Sequence, residues 1–299
     1  MYKGPFAEDL KEGKGEEVSL KHKEFKLQGV FKENRFYKGT YVDREGNATK
    51  SKTGFFLKNN RLDGEGLIHF KNGDKYEGDF KDGQRSGKGT MTYLDRSQDL
   101  NGYGLNEPTK MTYTGQFKHN KRNGKGVLYH DRDGTKYEGT WNNDEKAYGK
   151  QTIMPGGNIY TGPFFKGHFH GIGSIHYRKQ NVQFEGIFNR GANPEIGKLT
   201  YLTTFAIYIG EVQIEGDMQG QEELIRQGCG ILFDPKSLRR FESQWDYDQM
   251  AGVGKIFDQN GNIYIGGIDK GLKQGPGKLI KHLDDGRQEV FEGTFSKDQ

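Results

Sequence analysis

One spacing governs this chain. An aromatic residue, a glycine two positions on and a second aromatic two further recur from end to end, in many copies followed by a Gly-x-Gly pair. The fullest copy has Tyr76, Gly78 and Phe80, then Gly87 and Gly89. A period of two puts Tyr76, Gly78 and Phe80 on one side of an extended segment, with Glu77 and Asp79 on the other. Beyond a polar loop the alternation resumes: Gly87, Gly89, Met91 and Tyr93 share one face and Lys88, Thr90 and Thr92 the opposite one. Two such stretches make a β-hairpin. Glycine inside a strand costs entropy and packs nothing, so it needs a local reason. A neighbouring ring lying over the bare Cα supplies one, and the glycines read as slots for the aromatics.

Units start at Tyr2, Leu27, Lys52, Tyr76, Tyr113, Tyr137, Tyr160, Phe184, Tyr208, Phe241, Tyr264 and Phe291, and most intervals are 23 to 25 residues. A fixed period in this range marks a repeat array. The residue four after each start includes Phe80, Phe117, Trp141, Phe164, Trp245 and Phe295. With Tyr76, Gly78, Gly87, Gly89 and Tyr113 these form the expected repeat core. Six units place Gly-x-Gly eleven and thirteen residues after the start, at Gly13/Gly15, Gly87/Gly89, Gly124/Gly126, Gly171/Gly173, Gly252/Gly254 and Gly275/Gly277. Residues 16–51 keep the pattern in degenerate form. The spacing predicts an all-β chain: an elongated, single-layer antiparallel sheet of consecutive β-hairpins, one array over residues 1–299 with about eleven full units and a terminal half unit.

Tyr-x-Gly-x-Phe followed by Gly-x-Gly and an Asn-Gly or Asp-Gly turn, as at Asn72-Gly73 and Asp133-Gly134, resembles the MORN repeat (membrane occupation and recognition nexus). The resemblance implies a non-catalytic scaffold and protein–protein interaction platform in a cytoskeletal assembly. Its first expected setting is a ciliary or flagellar axoneme, where radial-spoke head proteins are built from similar arrays. The partners it implies are other proteins of a multi-subunit complex, among them other MORN-repeat subunits or a second copy. The alternative it implies is a peripheral membrane adaptor binding anionic phospholipid.

Composition agrees with a thin sheet. Hydrophobic residues make up 31% of the chain, against roughly 45 to 50% in ordinary domains by a tally that also counts glycine, while glycines number 46 and aromatics reach 13%. No run approaches the roughly 18 apolar residues that span a bilayer, and Met1-Tyr2-Lys3-Gly4-Pro5 opens on a repeat rather than a signal peptide. These features read as a cytoplasmic protein. The single cysteine, Cys229, excludes an internal disulfide framework. A net charge of +4 gives no argument for nucleic acid.

Two intervals are stretched, by a loop insertion at 94–109 and by an acidic insertion at 211–227, in which Gln221 to Gln227 could make a short helical turn. Chemistry is sparse. His168, His170 and His176 lack the completing cluster of a metal site, and Gly83 to Gly89 is one residue short of a phosphate loop, with no Ser or Thr after its lysine. We expect no catalytic, cofactor or metal site. Loops joining the two strands of each hairpin should fall along one edge, stacking Lys58, Arg61, Lys81, Arg85, Lys118, Lys121 and Arg122 into a basic ridge that would attract acidic protein or anionic lipid. The strand carrying Phe291, Gly293 and Phe295 has no Gly-x-Gly return strand, so its outer edge could template a partner strand.

Overall fold

A computed structural model describes residues 1–18, 25–57, 60–95, 109–192, 194–216, 222–283 and 285–298. Every regular element among them is a strand. Consecutive strands pair antiparallel as the hairpins of a long sheet, and Phe6–Ala7 and Leu10–Lys11 pair as a separate two-stranded sheet. Residues 1–149 and 150–299 make two compact units, a division that the unbroken spacing from Tyr137 to Tyr160 does not mark.

In the first unit, strands Leu62–His69, Lys75–Lys81, Gln84–Asp95, Thr109–Lys118, Lys121–His130 and Lys136–Asn142 pair in chain order. Their register aligns the repeat. Tyr76 lies between Ile68 and Met91, Tyr113 between Met91 and Leu128, and glycine faces glycine at Gly66, Gly78, Gly89, Gly115, Gly126 and Gly139. The reason is steric. A Cβ built on Gly89 would lie 2.5 Å from Cε2 of Tyr76, and one on Gly126 would lie 2.5 Å from Cε2 of Tyr113. The glycines are the slots into which the tyrosine rings lie.

The rings then zip together. Tyr76 meets Phe80 at 5.2 Å and Phe117 at 5.0 Å, Tyr113 meets Phe117 at 5.1 Å and Trp141 at 5.2 Å, and Tyr137 meets Trp141 at 5.1 Å, all edge to face. Each start ring thus packs against its own unit's second ring and, at Tyr76 and Tyr113, also against that of the next, a geometry worth about 0.5–1.5 kcal/mol per pair beyond the area buried. Tyr76, Phe80, Tyr113, Phe117 and Trp141 are all buried.

A tyrosine, rather than any ring, is favoured at the unit start by a β-bulge. Register shifts between Gly78 and Phe80 and between Gly115 and Phe117, skipping Asp79 and Gln116. The Tyr76 hydroxyl donates to the Asp79 carbonyl at 2.9 Å, and the Tyr113 hydroxyl to the Gln116 carbonyl at 2.9 Å. The skipped side chain turns back as well: Asp79 Oδ2 accepts the Lys88 N–H at 2.9 Å, and Gln116 Oε1 the Lys125 N–H at 3.0 Å. Both hydrogen-bonding faces of the bulge are satisfied, as partly buried backbone requires.

The start of the first unit is less regular. Phe25–Lys32 and Arg35–Asp43, within the degenerate 16–51 stretch, pair as a hairpin with Gly29 opposite Gly39. The unit starting at Lys52 has its first strand in two pieces, Ala48–Ser51 and Phe55–Phe56; Lys52 brings no ring to cover a glycine. Of the 94–109 insertion, Leu94, Asp95 and Thr109 extend the flanking strands, and residues 96–108 lie outside the described residues.

The second unit repeats the scheme with Asn158–Phe165, Gly171–Tyr177, Val182–Phe188, Ile196–Tyr201, Ile207–Gly216, Glu222–Asp234, Arg239–Asp246, Gln249–Phe257, Ile263–Asp269, Leu272–His282 and Gln288–Phe295. Tyr160 meets Phe164 at 5.2 Å and Phe188 at 5.1 Å; Tyr208 meets Trp245 at 5.4 Å. The acidic insertion corrects the sequence reading. Its described residues from Glu222 to Gln227 are strand, not helical turn, pairing Leu224 with Ile214 and Arg226 with Val212. The extended hairpin arm docks on an earlier turn: Leu224 exchanges two hydrogen bonds with the Gln180 side chain, at 3.0 and 2.9 Å, and Lys179 pairs with Glu223 at 2.6 Å. Leu224 is buried. Strand pairing and burial of one leucine override a local helical preference.

Candidate functional site

Two-residue turns join the strands of most hairpins, with both residues at positive φ: His119 and Asn120, Asn143 and Asp144, Tyr247 and Asp248. This is the turn whose twist matches paired strands, and it favours Asn and Asp. The second turn residue locks the preceding hairpin. Asn120 Oδ1 accepts the Arg85 N–H at 2.8 Å, Asp144 Oδ1 the Arg122 N–H at 2.9 Å, and Asp248 Oδ1 the Arg226 N–H at 2.9 Å.

The arginine so held turns its guanidinium over the rings. Arg122 sits 4.2 Å from the Trp141 centroid and 5.8 Å from that of Tyr113, and its Nε donates to Asp144 at 3.0 Å. Arg226 copies this over Trp245 at 4.2 Å, with Nε to Asp248 at 2.9 Å. Lys11, Lys146 and Lys273 lie over Tyr2, Tyr137 and Tyr264. A cation nine residues after the start tyrosine, or eighteen after Tyr208 across the inserted arm, thus caps the ring by cation–π attraction. The spacing was legible at Tyr76/Arg85, Tyr113/Arg122 and Tyr137/Lys146, but a cation in a loop reads first as solvated charge.

These contacts place the residues of the expected ridge. Arg85 and Arg122 are half-buried over the ring face. Arg61 pairs with Asp82 at 2.9 Å. Lys81, Lys118 and Lys121 are exposed at the hairpin tips, and Lys58 lies outside the described residues. Phe291 and Gly293 are exposed; Phe295 packs on Tyr264 at 4.9 Å. A Cβ built on Gly293 would meet nothing within 4 Å. His168 and Phe169 pair with Phe165 and Phe164 in a small hairpin, and among the described residues no group of three or more His, Cys, Asp or Glu could hold a metal ion.

Burial also sets the phenols apart: it pushes Tyr113 and Tyr137 up to about 12 and raises Tyr76 and Tyr208 further. Such groups stay neutral and structural at physiological pH.

The sheet face opposite the rings distinguishes the two units. Between the paired glycines the first unit carries Lys14, Glu65, Lys88 and Lys125; the second carries Ile172, Cys229, Val253 and Pro276. Ile172 is 78% exposed, Val253 72%, and Ile187, opposite Ile172 in register, 71%. Ile209 and Ile231, also opposed and exposed, share a shallow depression with Cys229, Val253 and Ile265. The letters were in the sequence, but attention to the glycines passed over the residue between them.

Compared with known families, five segments match the MORN repeat: residues 56–75, 76–98, 113–134, 137–152 and 241–263. No curated protein matches the chain. The same slots and ring contacts recur around Tyr160, Tyr208 and Tyr264, outside those segments.

Proposed function

We propose that this chain, which carries MORN repeats, is a non-catalytic scaffold and protein–protein interaction platform in a cytoskeletal assembly. Such repeats suggest either a protein-interaction or a membrane-binding role. The observation that favours protein is the exposed aliphatic face of the second unit, at Ile172, Ile187, Ile209, Ile231 and Val253. Exposed aliphatic surface, at the opposed Ile172/Ile187 pair and in the depression around Ile209, Ile231 and Val253, suits an interaction site, whereas attraction to an anionic bilayer asks for clustered lysine and arginine. The core rings are already buried against one another, so this face is free for a partner. The setting we propose, on the family resemblance of the repeat alone, is a ciliary or flagellar axoneme. Exposed Lys81, Lys118 and Lys121 favour a second reading, a peripheral adaptor on anionic lipid.

Fractionation of tagged protein from its native cells separates the readings. Retention with the detergent-extracted cytoskeleton and axoneme at moderate salt is expected. Release by detergent alone, with recovery on phosphoinositide liposomes that Lys81, Lys118 and Lys121 to Ala abolishes, would replace the scaffold with the membrane adaptor.

A further inference from the structure

Three arginines, Arg85, Arg122 and Arg226, are held by the same hairpin-tip device, and one of them lacks its counter-charge. Arg122 and Arg226 are neutralised by the tip residues Asp144 and Asp248. At Arg85 the tip residue is Asn120, which has the same shape without the charge. The backbone lock survives, with the Arg85 N–H donating to Asn120 Oδ1 at 2.8 Å and Nη2 to the Asn120 carbonyl at 2.7 Å. The guanidinium lies over the Phe70, Tyr76 and Phe117 rings, and among the described residues its one other hydrogen-bond acceptor is the Met91 sulfur, at 3.4 Å, a weak acceptor. Among the described residues Arg85 makes no ion pair.

This guanidinium borders a groove of about 1010 Å³ in the first unit. Phe70, Met91 and Tyr93 form its apolar lining, and Lys71, Asp74, Glu45 and the Arg122–Asp144 pair ring it. Phe70 and Tyr93 are half-buried, so apolar surface and a planar cation with open donors face the same space. An arginine fork in such a place matches a carboxylate in two-point geometry.

We propose that this groove docks a segment of a partner protein that sets one Asp or Glu carboxylate on Arg85 and an apolar side chain among Phe70, Met91 and Tyr93. A polyphosphate head group suits it less, because Glu45 and Asp74 on the rim would repel several negative charges, whereas a single carboxylate suits the one groove arginine that makes no ion pair. The inference rests on the scaffold reading and names one partner chemistry for it, at a site separate from the aliphatic face of the second unit.

The discriminating variant is Asn120→Asp, which installs at this tip the residue that already neutralises Arg122 and Arg226, and so satisfies Arg85 internally without disturbing the turn. A display library of 16-residue peptides selected on the full chain should enrich peptides with an acidic residue flanked by apolar ones. Their affinity should fall at least tenfold on Asn120→Asp and on Arg85→Gln, and be unchanged by Ile172→Lys. Enrichment without an acidic residue, affinity indifferent to both groove variants, or Arg85-dependent binding only of phosphatidylinositol bisphosphate vesicles would each overturn it. If cytoskeletal retention depends on Ile172 and Val253 while the groove variants bind like wild type, the groove assignment fails and the scaffold stands. Loss of retention for every protein, wild type included, is instead failure of the scaffold.

Discussion

Gly115 and Gly293 hold the same motif position, the glycine two residues after the unit start, so the motif alone assigns them equal importance. The structure does not. A Cβ on Gly115 would lie 2.5 Å from the Gly126 Cα, 2.5 Å from the Tyr113 hydroxyl and 2.7 Å from the Lys125 carbonyl oxygen. Unstrained carbon contacts need about 3.5–4.0 Å, so the two strands must part by roughly 1 Å. Overpacking of this kind costs about 1–3 kcal/mol. Displacing the tyrosine hydroxyl from Gln116 adds about 1 kcal/mol, and roughly 0.5–1 kcal/mol returns from the lower chain entropy of alanine. Gly115→Ala should therefore lose about 2 kcal/mol. Gly293→Ala, with nothing within 4 Å, should be neutral or gain about 0.5 kcal/mol. Because repeat arrays need not unfold in one step, amide exchange is the suitable assay. Protection in Thr109–Lys118 and Lys121–His130 should fall some thirtyfold in the first variant and be unchanged in Gln288–Phe295 in the second. Equal effects in the two variants would refute the slot argument.

Other outcomes follow from the same geometry. Tyr76→Phe leaves the partly buried Asp79 carbonyl without its donor and should cost about 1–2 kcal/mol in urea titration. Arg226→Ala removes the Asp248 pair and the stack on Trp245, about 2 kcal/mol after allowance for the exposure of Asp248, and Arg226→Lys should recover only part. Leu224→Ala should cost about 2–3 kcal/mol locally, seen as faster proteolysis of the arm with the remaining strands protected. Tyr113 and Tyr137 have folded values of about 12 against an ordinary 10.0. Their contribution is therefore complete below pH 10 and lost as pH rises toward 12. In an alkaline titration these buried tyrosines should ionise only with loss of the strand signal.

What the sequence made legible was whatever repeats within one hairpin. Alternation around Tyr76 and Phe80 identified the strands, and glycines in strand interiors identified the slots, because both are consequences of local geometry. Contacts across units were less accessible. The tyrosine hydroxyl at the bulge needs the register of two strands, and Arg122 looked like solvated charge until the turn at Asn143 and Asp144 placed it over Trp141. The arm at 222–227 misled because its acidic, leucine-containing stretch is a fair helix former. Its pairing with Ile207–Gly216 and its docking on Gln180 are tertiary facts. The division of chemistry between the two outer faces was open to reading at Lys88 and Val253, and only exposure gave it meaning.

The most direct test of the scaffold is the double variant Ile172→Lys, Val253→Lys, which rewrites two second-unit Gly-x-Gly pairs in the form already carried at Lys14, Lys88 and Lys125. Its thermal unfolding should match wild type, because both side chains are exposed, and its retention with the detergent-extracted cytoskeleton should be lost. Undiminished retention of the folded variant, or retention that falls only when Lys81, Lys118 and Lys121 are replaced by alanine, would contradict the account.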